Sequence, residues 1–110
     1  AETLYKESLQ VSEEISDHSG IAHVWGQLGD IERNRGNWDA AEALYRQSLQ
    51  VREEIGDRAG MAMVSSDFAL LEKQRGNLTI AQQYYEKAKS IYQQLGAKKD
   101  LERIEQQWLA

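Results

Sequence analysis

Apolar side chains along this chain return every three or four positions. Between residues 41 and 55, Ala41, Leu44, Tyr45, Ser48, Arg52 and Ile55 fall at that spacing, and Leu49 and Val51 widen the stripe. Ile21, Trp25, Leu28 and Glu32 continue the pattern one segment earlier. Strict apolar–polar alternation, the mark of a half-buried strand, is absent. Glycines and short polar turns punctuate the stripes. "RGNW" and "RGNL" put Gly36 and Gly76 just past a helix end, where a left-handed residue closes the C-terminus. Asn37 and Asn77 suit the start of the next helix. "SDHSG" and "GDRAG" supply the other turns. The pattern predicts six helices, over about 2–16, 20–35, 38–55, 60–75, 78–95 and 98–109. Links this short make successive helices antiparallel neighbours.

The pattern is also written twice. "AETLYKESLQVSEEISDHSG" aligns with "AEALYRQSLQVREEIGDRAG", and "ERNRGN" with "EKQRGN". About half of the positions in residues 1–40 and 41–80 are identical, and others are conservative, such as Lys6/Arg46 and Ile31/Leu71. A partial third copy, "AQQYYEKAKSIYQQLGA", follows. A fixed period in this range signals stacked helical units, each needing a neighbour to bury its apolar face. The expected architecture is an all-α solenoid of antiparallel helix pairs forming a single domain over residues 1–110. Residues 1–19 hold the second helix of an incomplete repeat, 20–59 and 60–97 the next two repeats, and 98–110 a capping helix. Because the register opens on a second helix and the first residue is Ala1, the chain is expected to be a piece of a longer array.

Composition narrows the function classes. Hydrophobic residues make up 41% and charged residues 28%, enough for a packed core. With no Cys, disulfide frameworks, thiolate zinc sites and cysteine nucleophiles are excluded. The absence of Pro suits nearly continuous helix. The net charge is −5, and Lys and Arg are scattered, which argues against a nucleic-acid partner. No apolar run reaches membrane-spanning length, and no signal peptide is visible, so a cytoplasmic location is expected.

The spacing of particular residues resembles the tetratricopeptide repeat family, whose pattern runs Trp-x2-Leu-Gly-x2-Tyr, then Ala-x3-Phe, then Pro. "WGQLGDIE" gives Trp25, Leu28 and Gly29 at that spacing, and Ala41 and Tyr45 follow as Ala-x3-aromatic. The next copy gives Ser65, Phe68 and Ala69, then Ala81 and Tyr85. Gly29 costs a helix about 1 kcal/mol against Ala, so it needs a packing reason. Gly29, Ala41 and Ser48, with Ala69, Ala81 and Ala88, are small where helices approach most closely, and Trp25, Leu28, Tyr45 and Phe68 fill the space between. Three departures stand out. Glu32 and Glu72 occupy the family's Tyr position, the terminating Pro is missing, and the period is 40. The longer period resembles the repeats of kinesin light chains and of large bacterial regulators, with about one more turn on each helix.

The resemblance implies a right-handed superhelix and a protein or peptide partner held in its concave groove. Carried over by position, the groove-facing residues are His23, Gly26, Asp30, Arg33 and Asn34, then Met63, Ser66, Leu70, Lys73 and Gln74. The last helix would add Arg103 and Gln106. Arg33 and Lys73 are the candidates to grip a carboxylate, with ordinary solvated charges as the alternative. Asn34 and Gln74 are candidates to bond a peptide backbone. Met63 and Leu70 would make an apolar floor, although Met63 reads equally as core.

Other chemistry is not expected. Glu13, Glu14, Asp17 and His18 carry metal-ligand groups, but they recur as Glu53, Glu54, Asp57 and Arg58, with Arg where the His would ligate. No nucleophile motif, phosphate loop or metal-binding His pair appears, so neither catalysis nor a cofactor is expected. The first helix repeats the buried pattern through Leu4, Tyr5 and Leu9 without its preceding partner. That edge is the basis of a second reading, self-association into a homo-oligomer or stacking within a longer array.

Overall fold

The computed structural model describes residues 18–110. The helix expected over residues 2–16, and with it Leu4, Tyr5 and Leu9, lies outside the described residues. Five helices follow: α1 (His18–Asn34), α2 (Trp38–Ile55), α3 (Arg58–Gln74), α4 (Leu78–Leu95) and α5 (Lys98–Leu109). The described residues contain no strand. They divide into two compact units, one ending at Asp57 and the other spanning Arg58–Ala110.

The chain turns by the same device each time. Gly36 sits at φ 81° and Gly76 at φ 85°, a backbone state that costs a Cβ-bearing residue energy. Gly36 N–H reaches the Arg33 carbonyl at 3.0 Å and Asn37 N–H the Glu32 carbonyl at 2.9 Å. This pair of bonds satisfies the last carbonyls of α1. Gly56 and Asp57 repeat it at the end of α2, with bonds to Glu53 and Arg52. That closure needs only two residues, so α3 begins at Arg58, two positions before the predicted start. Helices of 17 and 18 residues, with links of three and two, account for the period of forty.

The Glu at the family's Tyr position belongs to the turn. Glu72 is 4% exposed, and its carboxylate accepts from the Asn77 carboxamide at 2.7 Å and from Arg75 at 3.3 Å. Glu32 accepts from Asn37 at 2.8 Å in the first unit. A carboxylate removed from water needs such partners. Asn37 and Asn77 do occupy the helix starts, but their side chains reach back to the Glu and form no helix cap. The motif Glu-x2-Arg-Gly-Asn therefore works as one hydrogen-bonded corner.

In the first unit, α2 folds back on α1. Tyr45 lies beside Gly29 and donates its hydroxyl to Asp30, while Ser48, one turn on, donates to the Ala22 carbonyl at 2.7 Å. Contacts that run forward in one helix and backward in the other define an antiparallel pair. Ile21, Ala22, Val24, Leu28, Ala41 and Tyr45 are buried. Arg52, on the predicted apolar stripe, is buried as well, held by Ser48 and by Asp57 at 2.7 Å. Ile55, predicted on the same stripe, is 44% exposed because the helix ends there. Trp38 is the first residue of α2 and is 38% exposed.

In the second unit, α3 and α4 pair in the same sense. Phe68 stacks on Tyr84 with ring centroids 4.5 Å apart, and Arg58 donates to Gln94 at the far end of the pair. Helix α5 lies along α4, its Trp108 stacked on Tyr85 at 4.7 Å. Ala62, Ala69, Tyr85, Ala88, Ile91, Tyr92 and Ile104 form the core. Ser65 stands where the first unit has Trp25. Its side chain is fully buried, and its hydroxyl has no hydrogen-bond partner. Ser65→Ala is therefore expected to stabilise the fold by about 1 kcal/mol, from the relieved hydroxyl and the better helix former. An upward shift of the urea midpoint followed by circular dichroism would show it; a downward shift would mean that the hydroxyl is bonded.

Candidate interaction surface

The residues carried over from the family fall on one face of each first helix. In α1, His23, Gly26, Asp30, Arg33 and Asn34 lie within about a third of the helical circumference. The opposite side carries the buried Ile21, Val24, Leu28 and Gly29. His23 and Asn34 are exposed. Arg33 is not an ordinary solvated charge: its side chain is only 14% exposed and stands 3.8 Å from the Asp30 carboxylate. That carboxylate also accepts the Tyr45 hydroxyl, so the core of the unit orients the pair.

The corresponding face of α3 is more apolar. Met63 and Leu70 are half-buried, and Gln74 is exposed. Ser66 is 6% exposed and donates to the Met63 carbonyl at 2.7 Å, so it offers little to a ligand. The Lys73 ammonium donates to the Trp108 carbonyl and lies 5.1 Å from the centre of the Trp108 ring. Leu70, Lys73 and Gln74 meet Gln107 and Ala110 around a shallow depression of about 400 Å³.

Helix α5 contributes differently from what the offset of forty suggests. Arg103 turns to α4, bonding the Tyr92 hydroxyl at 3.1 Å and pairing with Asp100 at 3.2 Å. Burial raises the Tyr92 phenol above its usual pKa, and Arg103 opposes that rise. Gln107, which the sequence did not single out, lines the depression instead. Its signal was available: Ile104 and Trp108 are the apolar pair of α5, and Gln107 lies on the same side. The depression borders the α3 face rather than the turn at Arg103.

Two other features complete the surface. Ile80, Gln83, Tyr84 and Lys87 line a second open depression of about 430 Å³ along α4. Among the described residues no group of three or more metal-binding side chains gathers, and no helix is long and apolar enough to cross a membrane. Glu53 and Glu54 are exposed at the end of α2, and Asp57 is engaged by Arg52. Glu13, Glu14 and Asp17 lie outside the described residues.

Antiparallel helix pairs, repeated every forty residues and closed by left-handed glycines, define a helical-repeat protein. A profile of the family described as tetratricopeptide repeat matches residues 1–54 and again 20–94. The chain belongs to the tetratricopeptide repeat family. No curated protein matches it. Repeats of this family generally serve as protein-interaction modules.

Proposed function

We propose that this chain is a non-catalytic module that binds a peptide or helix of a partner protein on the first-helix faces of its repeats. In the first unit that face carries His23, Asp30, Arg33 and Asn34; in the second it carries Met63, Ser66, Leu70, Lys73 and Gln74. The observation that supports this reading is the asymmetry of α1 and α3. Each buries one side in its own unit and keeps the equivalent opposite face at least partly open. The open faces mix amides, a thioether, an aliphatic side chain and compensated charges, a composition suited to peptide recognition.

The test is an array of short random-sequence synthetic peptides probed with the wild-type chain and with His23→Glu/Asn34→Glu/Gln74→Glu. All three positions are exposed, so helical content should not change. Retained peptides should bind the variant about tenfold more weakly or not at all. Equal retention by both proteins would place binding elsewhere on the molecule.

A further inference from the structure

We draw no further inference here: the strongest candidate, the open depression along α4 lined by Ile80, Gln83, Tyr84 and Lys87, is a helix face for which nothing in the structure shows what covers it.

Discussion

Tyr45→Ala should destabilise the protein by about 3–5 kcal/mol, the usual loss for emptying a buried aromatic site. The Tyr45 ring is fully buried, and two of its carbons lie 2.6 and 2.7 Å from where a Cβ on Gly29 would be. The ring thus fills the space that Gly29 leaves, and α1 and α2 cannot close over the gap without moving the backbone. One effect adds to the cavity: the Asp30 carboxylate loses the phenol hydroxyl. Tyr45→Phe separates them. It keeps the ring, removes the bond to Asp30 and should cost about 1 kcal/mol. Both are read from urea unfolding followed by far-ultraviolet circular dichroism. A cost for the alanine variant as small as that for the phenylalanine variant would show that the ring is not packed as described.

Asp57→Ala should cost about 2–4 kcal/mol, although Asp57 is a turn residue with a partly exposed side chain. The reason is Arg52. Its side chain is 6% exposed, and Asp57 is its charged acceptor at 2.7 Å. Ser48 accepts from Arg52 at 3.3 Å and donates onward to the Ala22 carbonyl, so the guanidinium also depends on a hydroxyl that α1 positions. Removing Asp57 leaves a nearly buried cation with a neutral partner, which is more costly than removing the whole ion pair. The second unit shows the whole set replaced: Ala88, Tyr92 and Ala97 stand at the positions of Ser48, Arg52 and Asp57. An apolar version in the first unit, Ser48→Ala/Arg52→Met/Asp57→Ala, should therefore recover most of the loss. If the triple variant is no more stable than Asp57→Ala, burial of an unpaired charge is not the cause.

The helices and their ends were legible because both signals are local. A stripe with a 3.6-residue period and a glycine at each corner need no knowledge of the neighbours. Close packing at Gly29 was legible for a similar reason, since a glycine inside a helix calls for an explanation. The pairings were harder to see. Arg52 stood out on an apolar stripe, but its acceptor lies five positions on, beyond the helix end. Glu32 and Glu72 stand out as departures from the family pattern, yet their role depends on an Asn also five positions away whose place at a helix start suggests a cap. On the candidate surface, translation by forty placed Met63, Leu70, Lys73 and Gln74 on one face of α3, but α5 presents Gln107 to that face where the offset gives Arg103. Helix α5 packs by its own aromatic: with Trp108 stacked on Tyr85, Gln107 lies beside Leu70 and Arg103 bonds Tyr92. An offset carries positions between repeats; it does not carry the rotation of a helix that packs through a different aromatic.

The twenty-residue spacing of the left-handed glycines, at 36, 56, 76 and 96, has a kinetic consequence. Within each unit, Gly36 and Gly76 reverse the chain in a few residues, so the helices of a pair are neighbours in sequence. The hydrogen bonds between helices described above join residues no more than 36 positions apart. Chains whose contacts are this local search little conformational space before they are rewarded, and they fold on the microsecond to millisecond scale. Loop-closure entropy grows only slowly with length, but here it is held near its minimum at every corner. A ribosome emitting about 5–20 residues per second would take seconds to supply each forty-residue hairpin. Each pair can therefore be formed long before the next has been synthesised.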